Sequence, residues 1–240
     1  MSNRKLPRRE VPDVRPGGFH PPVFRKRAAI YVDGLNLYHA IAELDRNHLK
    51  WLDLFALGRL IAPRSEVFRR AVWCTAYAPR DRKGIERHQA YHEALEATGV
   101  KCLVGHFLIS ADGCNACGHQ WSVALEKQSD VNLALAMVDD AFEDRFDVAY
   151  LVTGDGDQAA TARYIKERFP KKRLVAVCAP NRRWNKALLD WADAKVRLEP
   201  EHLEQALLPA EVGTVKRPGV YAPPELPLTR GHLALVSSNE

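Results

Sequence analysis

From residue 28 onward the chain alternates short apolar runs with longer amphipathic stretches, and the two periods separate strands from helices. The apolar runs AAIYV (28–32), AVWCTAYA (71–78), VKCLVGHFLI (100–109), VAYLVT (148–153) and RLVAVCA (173–179) predict five strands. Between them NLYHAIAEL, GIERHQAYHEALEATG, DVNLALAMVDDAF and AATARYIKERF predict helices. In the third of these Val131, Leu135, Val138 and Phe142 recur at i, i+4, i+7 and i+11, one apolar stripe on an α-helix. Strands alternating with helices predict an α/β fold, a mostly parallel sheet covered by helices.

Two stretches depart from this rhythm. SADGCNACGHQW carries turn residues and a C-x-x-C pair where a helix would otherwise follow a strand, and predicts a hairpin insertion over 110–122. WADAKVRLEPEHLEQAL predicts a last strand and a terminal helix, and the Pro- and Gly-rich run after Glu211 reads as a tail or a partner-docking segment. The resulting division is a basic arm at 1–27, one α/β domain at 28–198, and a C-terminal helix and tail at 199–240.

Composition changes the picture only at the ends. A chain of 240 residues, 46% hydrophobic and 27% charged, suits one globular domain with flexible extensions. No apolar run approaches the ~20 residues of a membrane span, and MSNRKLPRRE lacks the apolar core of a signal peptide. The expectation is a soluble, cytoplasmic protein with no membrane partner. Five cysteines, an odd number spread from Cys74 to Cys178, fit a reducing compartment. The net charge of +5 is localised: residues 1–27 hold eight Lys and Arg against Glu10 and Asp13, which is +6, so residues 28–240 sum to −1. That Pro-rich arm reads equally as a disordered, phosphate-attracting segment and as a solubilising leader.

The candidate chemistry sits just after the apolar runs, because ligands of open α/β sheets bind outside the carboxyl ends of strands. Asp33 follows AAIYV, Asp155 and Asp157 follow VAYLVT, and Asp130 opens the third helix beside Ser129. Singly, each such Asp serves as a turn or cap residue in most proteins. Two like charges within three residues repel and raise each other's pKa unless a cation or donors neutralise them. A hard divalent ion does so with oxygen ligands, one or two carboxylates and substrate phosphates, and such a site hydrolyses phosphodiesters.

These segments resemble the NYN domain, a PIN-like nuclease family with a Rossmann-like α/β fold. The resemblance covers about residues 28–198 and rests on V-D-G-x-N-L at Val32–Leu37, K-x-x-D-V-x-L-A at Lys127–Ala134 and G-D-x-D at Gly154–Asp157, in the family's order. It implies that Asp33, Asp130, Asp155 and Asp157 hold Mg²⁺ or Mn²⁺ and carry catalysis. It also implies that Asn36 orients a ligand or substrate, that Thr153 supports the acidic loop, and that the activity is metal-dependent RNA cleavage. Gln158 departs from the apolar or aromatic residue common after G-D-x-D in the family.

Cys114, Cys117 and His119 are candidate ligands for a structural Zn²⁺, with His106, Cys102 or a partner chain completing the tetrahedron, against a plain reduced hairpin or redox pair. RYIKERFPKKR (163–173) reads as a solvated, basic helix end. Arg182, Arg183 and Trp184 follow a strand at the acidic edge, where they would hold a phosphate and stack a base, or where Trp184 would pack the next helix. RNA is the expected partner, and self-association is open. Two other readings compete. One is a non-catalytic RNA-binding or scaffold protein that keeps the fold. The other is a phosphohydrolase, whose D-x-D nucleophile motif is absent after the first strand because Leu35 stands two residues after Asp33.

Overall fold

Every residue from Ala28 to Val32 is buried to the last side chain, which demands strand partners on both sides and helices on both faces. The run is the middle of β1 (Lys26–Asp33) in a computed structural model that describes residues 25–79 and 81–224. In chain order β1 is followed by α1 (Gly34–Ala42), a one-turn 3-10 helix (Asn47–Lys50), α2 (Leu54–Ile61), β2 (Glu66–Thr75), α3 (Arg82–Ala97) and β3 (Lys101–Val104). A hairpin of β4 (His106–Gly113) and β5 (Gln120–Lys127) leads into α4 (Ser129–Phe142). Then come β6 (Val148–Val152), α5 (Gln158–Arg168), β7 (Arg173–Cys178), α6 (Lys186–Leu189), β8 (Ala194–Arg197) and α7 (Pro200–Glu204).

Six strands form one sheet in the order β3-β2-β1-β6-β7-β8, every neighbouring pair parallel. Counted within the sheet this is the 3-2-1-4-5-6 order of doubly wound folds, and the winding reverses between β1 and β6. Ala28, Ile30 and Val32 face a layer built from α1, α2, α3 and α7, through Leu37, Leu57, Leu95 and Leu203. Ala29 and Tyr31 face the opposite layer, where Leu133 and Met137 of α4, Ile165 of α5 and Leu188 of α6 cover the sheet. Each buried Val, Leu, Ile or Met among these contributes roughly 1.5–3 kcal/mol relative to exposure.

The structure departs from the sequence reading at several places. The run 100–109 is two strands, because Gly105 turns the chain out of the sheet. A Cβ there would lie 2.4 Å from the Lys127 carbonyl oxygen, so the hairpin root closes only on glycine. The hairpin accordingly spans His106–Lys127, longer than 110–122. The stripe Val131, Leu135 and Phe142 is exposed, at 58%, 61% and 55%. The buried face of α4 instead carries Leu133, Ala136, Met137, Ala141 and Asp140, with small residues where helix and sheet approach closely and a charge that finds partners there. Asp140 accepts hydrogen bonds from Tyr31 Oη, Arg70 Nε and Arg145 Nη1, each at 2.8 Å.

The run after Glu211 is not a free tail as far as Pro224: Val212 and Tyr221 are buried in the first core layer, and Trp51 Nε1 donates to the Pro209 carbonyl at 2.8 Å. A further difference is at the basic arm, since Lys26 and Arg27 already belong to β1 and Arg27 pairs with Asp144 and Asp147. The rest of the arm, residues 1–24, and residues 225–240 lie outside the described residues. Among the described residues no helix is long and apolar enough to cross a membrane.

Candidate active site

The reversal of winding brings the carboxyl ends of β1 and β6 side by side, with Val32 in register with Val152, so the residues that follow each strand meet. Asp33 caps α1: its Oδ1 accepts from the Asn36 N–H at 3.0 Å and its Oδ2 from the Thr153 hydroxyl at 3.0 Å. Thr153 Oγ1 in turn accepts from the Asp155 N–H at 3.0 Å, and Asp155 Oδ1 from the Asp157 N–H at 3.0 Å. Asn36 Oδ1 accepts from the Gly154 N–H at 3.1 Å, crossing the same gap. Thr153 and Asn36 thus tie the two acidic segments together.

Asp33, Leu35, Asn36, His39, Glu126, Ser129, Asp130 and Asp155 line one open cleft at this edge. Asp130 arrives on the first turn of α4 and Glu126 on the end of β5. Of the four aspartates singled out by motif, three line the cleft. Asp157 is exposed at the start of α5 and stands at the rim. Glu126 makes up the cleft's fourth carboxylate, and its Oε1 accepts from the Ser129 N–H at 2.9 Å. Sequence reasoning passed over it, although it directly precedes the K-x-x-D-V-x-L-A motif at Lys127–Ala134.

Bringing these groups together has an electrostatic cost. Burial, then the charges of Asp33 and Asp155, push the Asp130 carboxyl up to about 6. Burial also raises Asp33, and the hydrogen bonds from Asn36 and Thr153 offset part of it. Ser129 Oγ is buried at the same cleft with no hydrogen-bond partner. Among the described residues no three His, Cys, Asp or Glu side chains converge tightly enough to cage an ion unaided. The hard carboxylate oxygens of Asp33, Glu126, Asp130 and Asp155 around one open cleft fit a divalent ion of the Mg²⁺ class, which keeps waters and shares substrate phosphates.

Gln158, the departure from the family pattern, is 2% exposed, and it ties the site together. Its Nε2 donates to the Asp130 carbonyl at 2.9 Å and its Oε1 accepts from the Thr161 hydroxyl at 3.0 Å, so α5 holds the first turn of α4.

The basic candidates separate. Arg182 is engaged by Glu43 at 2.9 Å, and Trp184 packs against the second core layer with Lys195 and Arg197 over its ring. Trp184 is therefore a packing residue. Arg183 is exposed and makes no ion pair among the described residues. Asn185 brings this loop to the acidic one, since a Cβ on Gly156 would lie 2.9 Å from its Nδ2. In the basic helix end Lys166 pairs with Asp193 and Lys172 with Asp144, as a solvated structural face would.

Among the described residues the candidate zinc ligands form no compact group of three. Cys114 and Cys117 sit at the hairpin tip, and the His119 ring stacks on Trp121 with centroids 5.9 Å apart. His106 lies eight residues down β4 at the hairpin root, roughly 26 Å away at ~3.3 Å per residue. Cys102 is on β3 in the main sheet, so neither reaches the tip.

The family model for the NYN domain matches residues 27–199. Among solved structures the chain resembles a crystal structure of a protein of unknown function from Vibrio parahaemolyticus, at 24% identity and a TM-score of 0.52. The match covers 77% of this chain and 98% of that one. No curated protein matches the chain.

Proposed function

Starting from the premise that the chain belongs to the NYN domain family of PIN-like nucleases, we propose that it is a metal-dependent endoribonuclease. Asp33, Asp130 and Asp155 would hold the ion, with Glu126 beside them and Asp157 at the rim. The single observation that carries the reading is the convergence of these carboxylates at the β1/β6 reversal, with Asp130 pushed up to about 6. Mg²⁺ or Mn²⁺ bound there would neutralise phosphate charge and make water acidic enough to serve as a nucleophile at neutral pH.

The chain's own groups do the rest. Thr153 and the Asn36 N–H fix both oxygens of Asp33, so its carboxylate meets the cleft in one orientation. The Ser129 hydroxyl lies buried at the cleft without a hydrogen-bond partner, and the N-terminal end of α4 favours negative charge at the same spot. The Gly154 link holds the Asn36 amide at the cleft, where it would orient the strand. Arg183 and the basic arm supply positive charge along an RNA backbone.

The test is cleavage of single-stranded RNA by the full-length protein with and without Mg²⁺ or Mn²⁺, beside release of phosphate from a phosphomonoester. Metal-dependent strand cleavage supports the nuclease. Monoester hydrolysis alone would make it a phosphohydrolase, and binding with neither activity a scaffold.

A further inference from the structure

Beside the acidic cleft lies a second cavity, of about 280 Å³, whose mostly apolar wall carries a group of aromatic rings. Tyr38 of α1, Trp73 of β2, His88 and Tyr91 of α3, and Tyr221 meet there, with Lys50 at one side. Leu35 and His39 line both this cavity and the acidic cleft, so the two are neighbours across one turn of α1. Gly34 sets that spacing: a Cβ on it would lie 2.4 Å from Trp73 Nε1, so only glycine lets the start of α1 rest on the indole. We propose that this cavity receives one unpaired nucleobase of the substrate strand, next to the phosphodiester held at Asp33, Asp130 and Asp155.

The assignment rests on the nuclease reading for the strand and on the cavity for the base. The Tyr38 and His88 rings lie 13° from parallel with centroids 6.4 Å apart, and Trp73 meets His88 and Tyr91 edge-on at 5.2 and 5.4 Å. Flat π surfaces of this kind stack any base, whatever its sequence. Burial, then the neighbouring His92, hold His88 down at about 4, so its ring offers a neutral face at physiological pH, with Nε2 engaged by Thr75 Oγ1 at 3.0 Å. Lys50 Nζ sits 4.4 Å over the Tyr38 ring, a cation in the cavity wall that would attract the phosphates of the strand. The volume is near the lower end of small-molecule sites, which run from roughly 300 to 1,000 Å³, and matches one heterocycle rather than a stack.

Equilibrium binding of short single-stranded RNA by the full-length protein in EDTA, against an abasic oligomer with the same number of phosphates, tests it. The wild-type protein is expected to prefer the base-bearing strand by about tenfold. Tyr38→Ala, at a half-exposed ring, is expected to bring that preference close to one while the protein unfolds at an unchanged temperature, and Tyr38→Phe to keep it. Equal affinity of the wild type for both oligomers, binding of neither, or an undiminished preference in Tyr38→Ala would each overturn the assignment. Cleavage is read separately. Metal-dependent cleavage without base preference removes the cavity and keeps the nuclease, whereas base preference without cleavage does the reverse.

Discussion

Gln158 Nε2 and the carbonyl oxygen of Asp130 are 2.9 Å apart, a side-chain tie between the start of α5 and the first turn of α4. It joins the segment that follows β6 to the helix that supplies a carboxylate to the cleft. At this position the chain uses a buried amide. Gln158→Leu keeps most of the volume but leaves the Thr161 hydroxyl and the Asp130 carbonyl without their partner. The expected outcome is a loss of about 1 kcal/mol or more in stability for the broken hydrogen bonds and weaker metal-dependent cleavage. Denaturant unfolding and single-turnover rates measure the two, and a variant that cleaves at the wild-type rate would show that the tie does not position Asp130.

Asp155→Asn is expected to abolish cleavage and leave the fold intact. The native Asp130 carboxyl at about 6 lies above its unfolded value of ~3.9. Its contribution to stability is therefore present below about pH 4 and lost as pH rises through 6. Removing the neighbouring charge of Asp155 lowers that carboxyl, so the metal-free variant should be at least as heat-stable as wild type at pH 7. Wild-type cleavage by the variant would end the assignment of Asp155.

Asp140 carries structural weight instead. It is fully buried and answers two guanidinium groups and a phenol. Asp140→Ala strands Arg70, whose Nη2 already lacks a hydrogen-bond partner, and should cost about 3–5 kcal/mol in urea unfolding. A loss under ~1 kcal/mol would mean that water or a rearrangement satisfies Arg70.

His88 gives a pH dependence of opposite sign. Held at about 4 when folded against ~6.5 unfolded, it contributes stability that is present above pH 6.5 and lost as pH falls through 4. Because Asp130 works the other way between about 4 and 6, the readout is the difference between wild type and His88→Gln. The melting temperature of the variant should fall less on acidification, and parallel curves would refute the assignment.

Thiol chemistry should single out the hairpin tip. Backbone N–H groups of Cys117 and Ala116, then the Cys117 side chain, lower the Cys114 thiol, while burial pushes Cys74 and Cys102 up to about 12. Iodoacetamide at neutral pH, read by peptide mass spectrometry, should label Cys114 well before Cys74 and Cys102. Comparable rates at all three would contradict the geometry. Zinc that survives dialysis in the same preparation would require ligands from another chain.

Much of this architecture is written locally. AAIYV and VAYLVT are strands because continuous apolar runs with β-branched and aromatic residues bury both faces, and Asp33, Asp130 and Asp155 follow them, or open a helix, at positions the chain sequence marks by itself. The NYN motifs identify these same residues. The α2 region escaped because the apolar stretch from Trp51 to Ile61 is short and follows a single-turn helix, and Gly105 was absorbed into one long apolar run although it ends a strand.

What the sequence determined, then, is the succession of elements and the three carboxylates that motif and position share, since periodicity and turn chemistry act over a few residues. Tertiary structure alone decided the rest. Parallel strands joined by crossovers carry no local mark of their order, so the reversal between β1 and β6 that assembles the cleft is set by burial across the whole sheet. The same long-range packing chose which face of α4 turns inward, exposing Val131 and Leu135 and burying Asp140. It brought Glu126 to the aspartates from a hairpin and displaced Asp157 to the rim. It also gathered Tyr38, Trp73, His88 and Tyr221 from four separate segments into one cavity, because aromatic side chains distant in sequence lose water together only when the sheet and its helices have closed.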